Sequence, residues 1–259
     1  MSTDDGPLVL FVNNRLGLRV ARWLAGAGEP IAGFVLHPPG RRKEGEALEA
    51  LAASVGAPVL DATELSTPGA LGQLTRGAAS LGVSVMFGYV LRPPVLGWFG
   101  RGVVNLHPSW LPHNRGAFPN VWPIVEGTPA GATLHWMDAG VDTGPIIARV
   151  PVPVRSWDTG ESLYERLEAA AFELFRETWP AVRRGTAPST PQEPEAGSTH
   201  RARDVERIDC IDLDAIYRAR DLLNVLRSRT FSGYRGAYYV EDGRRVYLDL
   251  RLAPEPEEP

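Results

Sequence analysis

Short apolar runs that recur between helix-patterned segments constrain this chain more than any other feature. Leu8 to Val12 reads Leu-Val-Leu-Phe-Val, with no polar residue in the run. A strand that shows no polar alternation is one buried on both faces, as in a parallel sheet covered by helices. Similar runs stand at Ile31 to Leu36, Pro58 to Leu60, Val83 to Phe87 and Val103 to His107. Between the first two, Asn13-Asn14-Arg15-Leu16-Gly17 reads as a turn and Leu18 to Ala25 as a helix, with Leu18, Val20, Ala21 and Leu24 on its apolar side. Glu46 to Val55 is helical by composition. Strands that alternate with helices predict an α/β fold with a doubly wound, mostly parallel, Rossmann-like sheet.

The pattern changes after Gly131. Thr133 to Met137 and Ile146 to Val154 are two strands with only a loop between them, which predicts an antiparallel extension of the sheet. Ser162 to Trp179 has Leu163, Leu167, Ala170, Ala171, Leu174 and Phe175 at helical spacing. Residues 186–198 are rich in Pro, Ser, Thr and Glu and read as a linker or a long surface excursion. Beyond them, Asp212 is placed to cap a helix containing Ile216, Leu222, Leu223 and Leu226. Ala237 to Leu250 alternates around Glu241-Asp242-Gly243-Arg244, a strong hairpin signal. The expected organisation is a catalytic domain over 1–185, a linker over 186–200 and a small helix and β-hairpin subdomain over 201–259. A lone hairpin is marginal in water, so it must pack on the main domain or on a second subunit.

Composition removes several classes of function. The net charge is −4, which gives no chain-wide basis for nucleic-acid binding. Cys210 is the one cysteine, so no internal disulfide is possible, which fits a reducing compartment. The start, Met-Ser-Thr-Asp-Asp-Gly-Pro, is acidic and no long apolar run follows, so neither a signal peptide nor a membrane helix is expected. A cytoplasmic location follows as the expectation. The closing Pro-Glu-Pro-Glu-Glu-Pro is expected to be disordered.

The chemistry is concentrated between Asn105 and Ile147. Val103-Val104 lead a strand into Asn105 and His107, which as residues i and i+2 project from one face. Pro108 stops the ladder there. An amide and an imidazole therefore stand together at the carboxyl end of a strand, where open parallel sheets bind ligands. Asp142 lies in a loop between Gly140 and Gly144, which suits close approach to another element. These three side chains meet the needs of acyl transfer to an amine. An amide donor such as Asn105 steadies the charge that grows on the carbonyl oxygen. An imidazole such as His107 takes the amine proton and returns one to the leaving nitrogen. A carboxylate such as Asp142 orients the ring and stabilises its charged form. No step needs a metal. A metal site built from His107, His135 and Asp142 is conceivable, yet their spacing matches no short ligand pattern. Bland readings stand beside each residue. Asp138 reads as a turn residue and His135 as a buried, hydrogen-bonded structural group, while His37 and His200 sit in expected loops and carry no signal.

The segment Asn105-Leu106-His107-Pro108-Ser109-Trp110-Leu111-Pro112, then Arg115-Gly116, then Val141-Asp142-Thr143-Gly144, resembles the catalytic core of the folate-dependent formyltransferases, the enzymes that use N10-formyltetrahydrofolate. The match spans about forty residues in several spaced elements, which makes it specific. The resemblance implies catalytic roles for Asn105, His107 and Asp142. It also implies a pterin pocket lined on one side by Phe87, Gly88, Tyr89, Val90 and Leu91, and closed on the other by Asp138, Ala139, Gly140, Val141 and Asp142.

The acceptor amine is narrowed by what the chain contains. The turn after the first strand, Asn13-Asn14-Arg15, is not a Gly/Ser-rich phosphate nest. It can still meet a phosphate through Arg15 and the two amides, a reading as even as that of a simple turn. Residues 201–259 hold 11 Arg, no Lys and 12 Asp plus Glu, a poor surface for tRNA. Leu111 to Gly116, Pro119 to Trp122 and the tail instead resemble the members that modify sugar nucleotides, which are commonly dimers. The expected reaction is formyl transfer to an amino-deoxysugar nucleotide by a homodimer, with Asn13, Asn14, Arg15, Ser109, Arg115 and Asn120 as candidate acceptor contacts. Another small amine (an amino acid or antibiotic precursor), methionyl-tRNA, a hydrolase that releases formate and a catalytically silent folate or nucleotide-sugar binder are the alternatives. The hydrolases of the family usually carry an additional N-terminal domain, for which no room is expected here.

Overall fold

A computed structural model describes residues 6–77, 79–193 and 195–255. The acidic start at 1–5 and the last part of the Pro-Glu run, 256–259, lie outside the described residues. The chain forms two compact units whose segments interleave. The first unit takes 1–107, 133–149 and 171–194, and the second takes 108–132, 150–170 and 195–259.

The first unit is built on a sheet. Its strands are β1 (Leu8–Val12), β2 (Ile31–Leu36), β3 (Val59–Asp61), β4 (Leu81–Val85) and β5 (Val103–His107); β6 (Arg115–Gly116) belongs to the second unit; β7 (Gly131–Trp136) and β8 (Ile146–Pro151) complete the sheet. The strand order is β3-β2-β1-β4-β5-β7-β8. β1 pairs in parallel with both β2 and β4, and β4 with β5. β5 pairs antiparallel with β7, which is the expected extension. All five residues of β1 have no exposed surface. Phe11 and Phe34 are fully buried, and each such side chain contributes about 1.5–3 kcal/mol relative to exposure. The order reverses between β1 and β4, so their carboxyl ends flank the crevice where sheets of this kind bind ligands.

Helices cover the sheet. α1 (Asn14–Gly26) begins four residues before the expected start. Asn14 takes a left-handed conformation, φ 57°, and its Oδ1 accepts from the Leu16 N–H, so the expected turn is compressed into the first turn of helix. Gly17 lets this helix lie against the strands, since a Cβ there would meet Val12 Cβ at 3.2 Å and the Val85 carbonyl oxygen at 3.3 Å. α2 (Gly45–Ser54) lies within a residue of its expected bounds. Two short helices, α3 (Ala70–Thr75) and α4 (Pro93–Leu96), had no periodic signal because neither completes two turns. α5 (Trp122–Glu126) is equally short and belongs to the second unit. α6 (Gly160–Arg183) exceeds its expected bounds at both ends. Its last turns are fixed within the first unit: Trp179 Nε1 donates to Glu29 Oε1 at 2.6 Å, Arg183 Nε pairs with Glu29 Oε2 at 2.8 Å, and Arg101 donates to the Val182 carbonyl at 2.6 Å.

The second unit is held by short elements. β6 pairs in parallel with β9 (Thr199–His200), so the C-terminal part of the supposed linker is a strand. Thr190 bridges Ile146 in the first unit, which lays its other part down as well. α7 (Glu206–Asp209) is tied to α8 (Ala219–Arg229) by Arg229, which grips Asp209 at 2.5 and 3.0 Å. Buried Arg227 donates to the carbonyls of Arg155 and Asp158 at 3.0 and 2.8 Å. Asp212 does not cap α8. Its Oδ1 accepts from the Asp214 N–H in a local turn, and the helix begins only at Ala219. The hairpin forms as expected from β10 (Tyr238–Glu241) and β11 (Arg244–Tyr247). Asp242 and Gly243 have φ of 49° and 73°, the two positive angles that a tight hairpin turn of this twist requires. His200 is far from an idle loop residue, because its ring stacks on Trp122 at 4.0 Å and 10°.

Candidate active site

The first unit gathers the three residues expected to act together. β5 carries Asn105 and His107 on one face, and the loop after β7 brings in Asp142. Asn105 Nδ2 donates to Asp142 Oδ1 at 3.2 Å, and His107 Nε2 lies 3.6 Å from Asp142 Oδ2. All three are largely withdrawn from solvent: Asn105 is 9% exposed, His107 8%, and the Asp142 side chain 13%. One carboxylate thus faces the amide with one oxygen and the imidazole with the other. At such a separation and an effective dielectric near 20, a carboxylate–imidazolium pair is worth about 4 kcal/mol before desolvation.

A fourth residue joins them. β5 and β7 place His135 directly opposite Asn105. His135 is buried and hydrogen-bonded as expected: its Nδ1 lies 2.8 Å from the Trp136 carbonyl oxygen and its Nε2 3.1 Å from Asn105 Nδ2. A carbonyl can only accept, so Nδ1 carries the ring proton and Nε2 accepts from the amide. His135 Nε2 is also 3.6 Å from Asp142 Oδ1. The two amide hydrogens of Asn105 are thereby directed at His135 and Asp142. This arrangement fixes which end of the amide is the donor. Its signal in the sequence was only the Thr-Leu-His-Trp alternation, since the register between β5 and β7 is what brings His135 across.

The Asp138–Gly144 loop is built from its own residues. Asp138 Oδ1 accepts from the Gly140 N–H at 3.0 Å and the Thr143 hydroxyl at 2.6 Å, which is the turn role expected of it. Gln192 donates to the carbonyls of Asp142 and Gly144 at 2.9 and 2.8 Å. Asp142 itself sits at φ 53°, a left-handed conformation that the loop must hold in place. Ala139, Gly140 and Val141 are exposed. Gly144 passes so close to β7 that a Cβ would stand 1.9 Å from the Trp136 carbonyl oxygen. Gly144→Ala is expected to displace Asp142 and to lower turnover about 10²-fold while the protein still folds, as measured by steady-state rate beside circular dichroism.

On the other side of the crevice, Phe87 and Tyr89 pack against the core cluster that holds Phe11, Val35 and Leu91, and Met137, at the root of the Asp138 loop, packs on the same cluster. Gly88 and Val90 are exposed. Leu91 is 1% exposed and its side chain belongs to the core. The candidate acceptor contacts divide between the two units. Asn13 is buried, and its Oδ1 accepts from the Lys43 N–H at 2.8 Å. Asn14 Oδ1 serves its own helix start, and Arg15 is exposed at the same place. Ser109, Arg115 and Asn120 belong to the second unit and are buried. The Ser109 hydroxyl donates to the His113 carbonyl at 3.1 Å and the Asn120 amide to the Gly160 carbonyl at 2.9 Å. Their side chains serve the local fold in these bonds. Among the described residues no helix is long and apolar enough to cross a membrane.

Known proteins resemble this chain over most of its length. Residues 38–178 match the family model described as formyl transferase, and residues 204–254 match the N-formyltransferase dimerization C-terminal domain. The dTDP-4-amino-4,6-dideoxyglucose formyltransferase of Mycobacterium tuberculosis is 38% identical over 159 residues, which cover 60% of this chain and 67% of the relative. A solved Mycobacterium tuberculosis protein described as a sugar N-formyltransferase superposes with a TM-score of 0.78 at 27% identity, over 97% of this chain and 99% of that one. The formyltransferase PseJ of Anoxybacillus kamchatkensis, solved with UDP-4,6-dideoxy-4-formamido-L-AltNAc and tetrahydrofolate, is 33% identical with a TM-score of 0.54, over 67% and 87% of the two chains. Methionyl-tRNA formyltransferases match too; that of Symbiobacterium thermophilum is matched over 73% of its length.

Proposed function

Since this chain belongs to the formyl transferase family, we propose that it moves the formyl group of N10-formyltetrahydrofolate to the amine of an amino-deoxysugar nucleotide. The observation that carries the reading is the shared carboxylate of Asp142, set between the Asn105 amide and the His107 imidazole. In this mechanism the acceptor amine attacks the formyl carbon, and negative charge collects on the formyl oxygen. Asn105 Nδ2–H stabilises that oxygen, for about 10²–10³ in rate. His107 removes the proton from the attacking nitrogen, and Asp142 stabilises the imidazolium so formed. As that charge develops, Asp142 is drawn toward His107 and its hold on the Asn105 amide weakens, which turns an amide hydrogen toward the oxyanion. Collapse of the tetrahedral intermediate breaks the bond from the formyl carbon to N10, and His107 returns a proton to that nitrogen. Tetrahydrofolate and the formamide leave.

The donor rests on the triad and on PseJ, whose structure holds tetrahydrofolate. The Phe87–Leu91 and Asp138–Val141 main chains are the proposed walls of its pterin site. The acceptor class rests on the two sugar-modifying relatives and on the tail. Arg15 and Asn14, beside the crevice between β1 and β4, are the proposed contacts for its diphosphate. The tail also favours a homodimer, because Leu213, Leu223 and Val240 are 59%, 47% and 52% exposed on the segment that matches a dimerization domain. Light scattering is expected to give twice the chain mass at micromolar concentration, and a monomer would count against the dimer. A cytoplasmic location accompanies this reading, in line with the single cysteine.

Donor turnover with and without amine tests the reaction class. Tetrahydrofolate release that requires an amino-sugar nucleotide supports the transferase. Release without any amine would replace it with the hydrolase.

A further inference from the structure

His37, which the catalytic scheme does not use, is built into the floor of the crevice. It follows β2 directly and is 7% exposed. Three strand ends converge on its ring. From β4, the Gly88 N–H approaches Nε2 at 3.0 Å. From β1, Asn13 Nδ2 lies 3.1 Å from Nδ1, with Asn13 in turn held by Lys43. The rings of Phe87 and Tyr89 stand edge-on to it, with centroids 5.2 and 5.1 Å away. A Cβ built on Gly88 would lie 3.4 Å from His37 Cε1, in ordinary van der Waals contact with the ring.

We propose that His37 is a positioning residue for formyl transfer: in its neutral form it holds the Phe87–Gly88–Tyr89 loop in the conformation that receives the folate donor, so that donor binding requires an unprotonated His37. This rests on the reading of that loop as the pterin site. The argument turns on which atoms carry hydrogen. The Gly88 N–H can only donate, so Nε2 must present a lone pair. Asn13 Nδ2, whose partner Oδ1 is taken by the Lys43 N–H, is a donor too, so the neutral ring accepts at one of its nitrogens and a doubly protonated ring at neither. A second proton would set N–H against N–H at 3.0 Å, remove the acceptor of the Gly88 N–H and push the loop away.

The surroundings favour the neutral ring. Burial draws its pKa below the usual histidine range, and the charges of Arg41 and Arg42 act in the same sense. A hydrogen bond to the Arg41 backbone and the charge of Asp61, at the end of β3, oppose them. Arg42 also donates from Nε to the His37 carbonyl at 2.6 Å, and Lys43 contacts Asn13 through its main chain. The sign follows from the lowered pKa. The loop is fully held above the ordinary histidine range, and the hold is lost as pH falls through the lowered value.

The test is equilibrium binding of 5-formyltetrahydrofolate to the full chain between pH 8 and pH 5, read beside hydrogen exchange at the Gly88 amide. Binding is read rather than turnover because the rate also depends on the proton transfers assigned to His107. Wild-type protein is expected to lose affinity about tenfold as pH falls, together with protection of Gly88. His37→Ala is expected to bind about five- to tenfold more weakly at pH 8, with no further loss on acidification. His37→Gln, whose amide oxygen reaches the place of Nε2 and does not titrate, is expected to restore affinity and to flatten the pH dependence. Affinity that follows pH equally in wild type and in His37→Gln would overturn the inference and leave the donor reading intact. Wild-type protein that binds no folate at any pH, with Gly88 still protected, would overturn the donor reading and the proposed role together.

Discussion

His107→Ala is expected to lower kcat about 10²–10⁴-fold, with the donor KM changed far less. His107 lies on β5, whose five residues are all buried, and its ring points along the same face as Asn105. The substitution leaves the backbone ladder intact, so circular dichroism and thermal unfolding are expected to show a folded protein. The loss arises in two places. The attacking amine has no fixed group to take its proton, and N10 has none to supply one as it leaves. Asp142 then faces Asn105 and His135 without the imidazolium that makes its charge useful. A rate near that of wild type would remove His107 from the chemistry.

Asn105→Ala is expected to cost about 10²–10³ in kcat through the lost oxyanion donor. It carries a second effect that His107→Ala does not. Asn105 satisfies both the Nε2 of buried His135 and one oxygen of Asp142. Truncation leaves those acceptors without this partner, at a cost of about 1–3 kcal/mol in stability. Activity and unfolding temperature should therefore fall together for Asn105→Ala, and activity almost alone for His107→Ala. Equal stability in the two variants would mean that the bond from Asn105 to His135 does not organise the site.

The strands of the sheet were legible because each is a short apolar run with a clear stop. β5 was read residue for residue: Val103-Val104 start it, and Pro108 ends it just past His107. The triad was legible for the same reason, together with the glycines around Asp142. What the sequence hid were contacts made only by neighbours in space. His135 meets Asn105 through the β5–β7 register, which no local pattern states. His37 gains its role because β1, β2 and β4 end together, although its own neighbours in sequence are ordinary loop residues. Capping was misread where a local turn competed. Asp212 bonds to its own backbone two residues on, so α8 starts seven residues later without it. The acceptor contacts were least legible. Asn13, Ser109 and Asn120 carry polar groups that suit a substrate, yet each has partners within the fold, and polarity alone does not separate the two uses.

The most direct test of the central claim is a mass measurement. The protein is incubated with N10-formyltetrahydrofolate and a panel of 3- and 4-amino-deoxysugar nucleotides, and tetrahydrofolate release is followed beside mass spectrometry of each acceptor. A gain of one formyl group on an amino sugar, absent in Asn105→Ala and His107→Ala, is the predicted result. Transfer of the formyl group to a different class of amine, with every amino-sugar nucleotide unchanged, would contradict it.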